Sequence, residues 1–326
     1  MKKRTKVWLI AAASLILVGC LLFVGVMSVL KWDFKQLSTR KYETNTHAVT
    51  DSFRHISITA DTADINFELS EDGTISVVCH EDVNFQHTVT VEDNTLVIKA
   101  TRSHKWYHYV GIGFESSSIT VYLPAGEYGD LTVRATTGDV YLPVYVDFKS
   151  VDIVVSTGDI VCFACVSGEL KVKTSTGDIA LKAVTAESIH LSATTGEIWI
   201  KAIDTGDLSV DVTTGEARIY RVNCRWLTST GSTGDIILRD VVATSDFTIT
   251  RSTGDVIFDD CDAGSMKVST DTGDIMGTFR TMKTFVAHTD TGKVEIPTHL
   301  PPSGGLCELT TDTGNIHITL EDSAYE

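Results

Sequence analysis

The residues best placed by type and spacing to do chemistry are acidic. Asp139, Asp159, Asp178, Asp235, Asp255 and Asp274 each follow a Thr-Gly pair, and Asp271, Asp290 and Asp312 directly precede one. Carboxylates stacked at strand spacing could share Ca²⁺, which takes six to eight oxygens. Asp271, Asp274, Asp290 and Asp312 are the candidate ligands, because the last units carry acids on both sides of the pair. Turn chemistry competes with this account: an Asp after Gly accepts backbone N–H bonds, and the nonapeptide of calcium-binding β-rolls is absent.

Cys162 and Cys165 form a lone C-x-x-C, with no second Cys or His pair at the spacing that zinc chemistry needs. Both are expected on inward columns as small hydrophobes. Cys165 and Cys261 share a column but stand about 24 Å apart at strand spacing, beyond disulfide reach. The densest aromatic run is His104-Lys105-Trp106-Tyr107-His108-Tyr109; exposed, it could stack on sugar rings or lie at a membrane interface, and packed, it belongs to a cap. There is no nucleophile elbow, phosphate-cradling glycine loop or metal-ligand spacing, and no cofactor is expected. The enzyme alternative is a β-helix polysaccharide lyase or hydrolase with carboxylates on one face. Units of constant length leave no loops to wall its cleft, so the chain reads as non-enzymatic.

The elements that position these residues follow from a repeat. Glycines 138, 158, 177, 196, 215, 234, 254, 273, 292 and 314 (Gly138, Gly158, Gly177, Gly196, Gly215, Gly234, Gly254, Gly273, Gly292 and Gly314) each follow Thr, at spacings of 19 or 20 and a final 22. Asp or Glu comes next in eight, the exceptions being Lys293 and Asn315, and then Val or Ile in nine, with Ala217 in the tenth. Apolar residues alternate on both sides, as in Leu170-x-Val172-x-Thr174-x-Thr176-Gly177-Asp178-Ile179-x-Leu181, which is the strand period. The glycines are expected at turns of positive φ. A second apolar column follows each Gly by seven residues: Cys165, Val184, Ile203, Val222, Val241 and Cys261.

No helical segment fits between units, so parallel pairing through helical crossovers is excluded on length. Stacked coils burying aliphatic columns make an all-β fold, a β-solenoid of about ten rungs and about 50 Å. A propeller, with a period near 40, ranks second. Residues 51–69 resemble a decayed unit with Ala63 in place of Gly. The expected organisation is a repeat body over 131–320, preceded by an N-terminal β cap over 46–130 that covers a strand edge. Pro301-Pro302-Ser303-Gly304-Gly305 lengthens the last turn, and 321–326 is an acidic tail.

The N-terminus is a basic cluster, residues 1–6, followed by 24 uncharged residues from Val7 to Leu30. That run makes about 36 Å of helix, enough to cross a bilayer core of roughly 30 Å. It is expected to be an uncleaved transmembrane anchor, joined to the body by a linker over 31–45. Leu17-Val18-Gly19-Cys20 resembles a bacterial lipobox, the alternative in which Cys20 is lipidated; ten further uncharged residues follow it. Basic residues balance on the two sides, so the positive-inside rule favours neither orientation. A basic start before an apolar run is how export signals begin, which places the body outside the cell. From residue 31 onward 23 basic residues face 43 acidic ones. That surface repels phosphate backbones and argues against nucleic acid as a partner.

The serial Ser/Thr-Thr-Gly-Asp-Ile units, the Ile119-Thr120-Val121-Tyr122-Leu123-Pro124 strand and the N-terminal helix resemble a bacterial family of β-strand-repeat proteins of unknown function, labelled putative adhesins. The resemblance spans nearly everything after residue 45 and implies a cell-envelope location without catalytic residues. The expected role is a membrane-anchored surface scaffold whose partner is a protein or glycan ligand. An envelope-stress sensor or regulatory partner is the alternative.

Overall fold

The computed structural model describes residues 3–33, 38, 40–101, 115–298 and 304–320. Helix α1 spans Lys3–Val29, and within it Trp8–Val29 is apolar enough to cross a membrane. Everything else with regular structure is strand, all of it in one sheet that wraps into a solenoid of about nine turns. The aromatic run at residues 104–109 and the tail at 321–326 lie outside the described residues.

Each turn, or rung, is named below for the glycine of its Thr-Gly pair. Neighbouring rungs pair in parallel with Thr on Thr, as in Thr157↔Thr176, Thr195↔Thr214 and Thr214↔Thr233. The ladder runs on through the turn: Gly158 N–H donates to Thr176 O at 2.9 Å and Ile160 N–H to Asp178 O at 2.8 Å. The ten glycines have φ from +120° to +156°. Gly196 shows why no other residue fits, since a Cβ there would overlap the carbonyl of Gly177 in the next rung. Conformation and close backbone approach exclude a side chain together. Ala63 occupies the equivalent turn in the 55–69 rung without a positive φ.

A second corner has no counterpart in the sequence pattern. Six residues after the glycine, Ala183, Ala202, Arg221, Asp240 and Asp260 adopt φ of 52–57°. This left-handed bend costs a non-glycine residue about 1 kcal/mol or more. It turns the following Val184, Ile203, Val222, Val241 and Cys261 into the core, where each is buried. The Gly158 rung lacks the bend, so Ala164 and Val166 point inward while Cys165 is half-buried on the outward parity. The expectation of an inward Cys165 is corrected on that ground; Cys162 is fully buried.

One hydrophobic core runs from Ile56 to Ile318. It holds a buried arginine: in the column three residues before the glycine, Val212, Gly231, Arg251 and Thr270 stack on successive rungs. The Arg251 guanidinium lies against Gly231, where any side chain would collide with it, and donates to Ser229 Oγ at 2.9 Å. Burial pulls the Arg251 pKa down to about 10, against the pull of Asp211 and Asp235.

Both ends are stacked out of chain order. At the N-terminal end the strands are β1 (Tyr42–Val49), β2 (His55–Thr62), β3 (Asp64–Leu69), β4 (Ile75–Asp82), β5 (His87–Glu92), β6 (Thr95–Ala100), β7 (Ser118–Leu123), β8 (Gly126–Thr137) and β9 (Val140–Leu142). The β2/β3 rung lies directly on β8/β9, with Thr62↔Thr137 and Ile65↔Val140. A further rung made of β6 and β7 covers its other side, with Ile56↔Leu96 and Ile65↔Ile119. The segment read as an aperiodic cap therefore contributes a rung of its own. Antiparallel β5 continues from β6, and β4 then β1 from β7.

At the other end, strands Leu306–Thr313 and Ile316–Leu320 of the Gly314 rung pair with the Gly273 rung on one side and the Gly292 rung on the other. The order in space is 273, 314, 292. Residues 299–303 lie outside the described residues; the spacing of 22 between Gly292 and Gly314 leaves chain for that return.

Candidate functional site

The acidic ladder is built into the backbone. Asp139 Oδ1 accepts the N–H of Asp159 at 2.8 Å, Asp159 that of Asp178 at 2.7 Å, and Asp178 that of Glu197 at 2.7 Å. Asp235, Asp255 and Asp274 do the same for Asp255, Asp274 and Asn315 at 2.8, 2.8 and 2.6 Å. Each short side chain thus reaches the equivalent residue one rung along. The series breaks at Glu197 and Glu216, which carry one methylene more and bind Arg218 at 2.7 and 2.6 Å. Asp271, Asp312 and Asp290 stack in that order on the far side of the turn, all exposed, with His288 Nε2 at 2.9 Å from Asp290 Oδ1. Asp274 stands across the turn from them with Oδ1 already engaged. Among the described residues these four carboxylates do not converge with a third ligand on one point.

The outward side chains divide at the Thr-Gly turn. After the glycine, one column runs Tyr141, Val161, Ala180, Trp199, Arg218, Ile237, Ile257 and Met276 without a register break. Seven of these eight are apolar or aromatic, and at strand spacing the column is about 34 Å long. Tyr141 is 40% exposed and the others are half-buried. Lys182, Lys201, Tyr220 and Arg239 form the adjoining outward column. Lys201 Nζ lies 5.7 Å from the Trp199 ring and the Arg239 guanidinium 5.9 Å from that of Tyr220. Tyr141 meets Phe163 edge to face at 5.9 Å. A sheet face of aromatic rings bordered by cations, on a chain with excess acid, can hold flat apolar surface and anionic groups side by side.

Before the glycine, the outward columns are mostly polar, as in Arg134, Val154, Lys173, Ser192, Asp211, Thr230, Thr250, Ser269 and Thr310, where Val154 is the apolar exception. One aromatic interrupts this face at its margin: Trp226, 40% exposed, with Arg225 over its ring at 4.0 Å and Nε1–H donating to Asp246 at 3.1 Å. It edges a shallow groove of about 400 Å³ that also includes Lys267, Leu306 and Glu308.

The cap holds a cavity of about 490 Å³ beside β1, β4 and β5, lined by Tyr42, Asp61, Asp64, Asp82 and His87 among others. Burial pushes the core thiols of Cys79, Cys162, Cys224, Cys261 and Cys307 up to about 12. Their thiolate, the nucleophilic form, is scarce at neutral pH.

Three solved structures show what the body is similar to. A putative adhesin from Parabacteroides distasonis is 15% identical, with 86% of this chain and 98% of that one covered at a TM-score of 0.46. A putative lipid binding protein from the same organism is 14% identical, covering 85% and 97%, also at 0.46. A putative adhesin from Bacteroides fragilis is 15% identical, covering 86% and 97%, at 0.41. No curated protein matches the sequence. The Toastrack DUF4097 family model matches residues 53–225, which is more than half of the sequence and takes in β2 through the Gly215 rung, and the chain belongs to that family.

Proposed function

We propose that the protein is a non-enzymatic binding scaffold of the cell envelope, held by α1 with its body outside the cell, and that its ligand lies along the column from Tyr141 to Met276. The observation that carries this reading is the column's continuity. Side chains on this parity contribute nothing to the core, yet eight successive rungs keep a nearly unbroken apolar stripe where solvent would favour polar residues. Rigid rungs present the stripe without ordering cost, which favours a long flat partner such as a glycan chain or another extended surface polymer. The adhesin and lipid-binding names of the similar structures agree with a binding role, and none of the three is named for an enzyme.

The test is binding of the detergent-solubilised full chain to purified cell-wall polymers and host glycans, compared with a Tyr141→Ser, Trp199→Ser, Ile237→Ser variant. A loss of tenfold or more, about 1.4 kcal/mol, is expected at unchanged stability. Equal binding by the variant would remove the stripe from the function. Protease access to a tag at Glu326 on intact cells checks the outward placement, and protection until lysis would reverse it.

A further inference from the structure

The cap contains a cluster that the outward stripe does not use. Alternation along β4 directs Cys79 and Glu81 to one face, where both are fully buried. Residues 83–86 reverse the chain, so that His87, the first residue of β5 and 7% exposed, joins them. One donor atom from each of the three lies within 4.8 Å of the other two, and among the described residues no other such trio of His, Cys, Asp or Glu occurs.

Hydrogen bonds explain part of this arrangement. Glu81 Oε2 accepts the His87 backbone N–H at 2.7 Å and lies 2.6 Å from Nδ1, while Oε1 accepts from Asn45 Nδ2 at 2.9 Å. With its Nδ1–H turned to the carboxylate, the ring keeps a lone pair on Nε2. That atom is buried and has no partner among the described residues. Moving the Nδ1 proton to Nε2 frees Nδ1 to bind a metal ion together with Glu81 Oε2, the ion taking the place of the hydrogen bond between them. The neighbouring thiol sharpens the contrast: Cys162, Cys224 and Cys261 donate to backbone carbonyls, whereas Cys79 faces an imidazole and a carboxylate.

We propose that Cys79, Glu81 and His87 bind a divalent metal ion of the Zn²⁺ class, through the sulfur, a carboxylate oxygen and a ring nitrogen. Sulfur and imidazole donors select Zn²⁺ over Mg²⁺ and Ca²⁺, which require oxygen sets. Three protein ligands leave a fourth position open. His87 borders the 490 Å³ cavity, which supplies an entry path and room for a water or an external ligand. Asp61, Asp64 and Asp82 on the same walls favour entry of a cation.

The experiment uses the full chain in detergent, stripped of metal, with Zn²⁺ titrated against a chromophoric chelator and Co²⁺ as a spectroscopic probe. One equivalent should bind, Co²⁺ should give a thiolate charge-transfer band in the near ultraviolet, and Zn²⁺ should raise the melting temperature where Mg²⁺ and Ca²⁺ do not. Cys79→Ser should abolish the band, and His87→Gln should weaken Zn²⁺ binding by about 10- to 100-fold. His317→Gln, at an exposed His–Glu pair in the last rungs, should leave binding unchanged. Absence of stoichiometric binding by the folded wild type overturns the site, as does a band that survives Cys79→Ser. Should Cys79→Ser fail to fold, the wild-type band together with His87→Gln decides the matter. None of these readouts involves the outward stripe, so either proposal can fail without the other.

Discussion

The face before each Thr-Gly turn and the face after it are made by the same rungs, the same pairing and the same inward alternation, yet they differ outward. Ser192, Thr230, Thr250 and Ser269 represent the first; Tyr141, Trp199, Ile237 and Ile257 represent the second. Core packing is not the cause, since on both faces these positions point away from the core. The difference shows that the repeat constrains inward columns and turns while leaving outward columns to record what the protein meets.

The comparison breaks most severely at the turn that joins the two faces. Gly196→Val must place a side chain against the Gly177 carbonyl at φ +142°. It should cost about 3 kcal/mol or more through overlap and strain combined, read as a fall in the denaturation midpoint. Because each rung contacts only its neighbours, hydrogen exchange should rise around the Gly177 and Gly215 rungs and little elsewhere.

Alkaline pH attacks the shared core beneath both faces. Cys79, Cys162, Cys224, Cys261 and Cys307 hold their protons to about 12 in the fold, against an ordinary value of 9.0. Between those limits the unfolded chain binds fewer protons than the native one, so stability falls as pH rises, by about 1 kcal/mol per thiol at pH 10. Arg251 works in the opposite sense, since its folded pKa near 10 lies below the ordinary 12.5. With five thiols against one guanidinium, net loss is expected, measured as midpoint against pH. Replacing the five by Ala or Val should flatten the profile.

A smaller effect separates turn chemistry from metal binding on the ladder. Asp178→Ala removes the acceptor for Glu197 N–H and should cost about 1 kcal/mol; Asp178→Asn, which keeps an oxygen there, should cost less. Chelator should leave both midpoints where they were with respect to Ca²⁺. A rise of several degrees with millimolar Ca²⁺, absent with Mg²⁺, would restore the carboxylates as ligands. The smallest effect sharpens the contrast between faces: Trp199→Ser and Thr228→Ala should each change stability by less than about 0.5 kcal/mol. Only the first should weaken ligand binding.

The rungs were legible because Thr-Gly-Asp-Ile couples a backbone requirement to a hydrophobic period, and each reinforces the other at Gly177 or Gly254 alike. The left-handed corner was not, since Ala183, Arg221 and Asp240 have no chemistry in common and the bend is imposed by closure of the coil. The partnership of Gly231 with Arg251 was hidden for a related reason: it appears only when two rungs are laid on each other in register. The order of rungs was equally unreadable, because units with identical turn chemistry and alternation can stack on any of their copies. Cys79, Glu81 and His87 follow no recognised ligand spacing, and only the β4–β5 reversal brings them together.

The stacking order of the last rungs bears on how the chain is completed. Synthesis delivers the Gly292 segment before the Gly314 segment, yet the later one takes the inner place, between Gly273 and Gly292. Propagation from the N-terminus therefore stalls one step short. The growing end must wait with an open edge, or surrender a provisional partner, until residues 306–320 arrive. A chain lacking that stretch loses two rungs from its end although it lacks the sequence of only one.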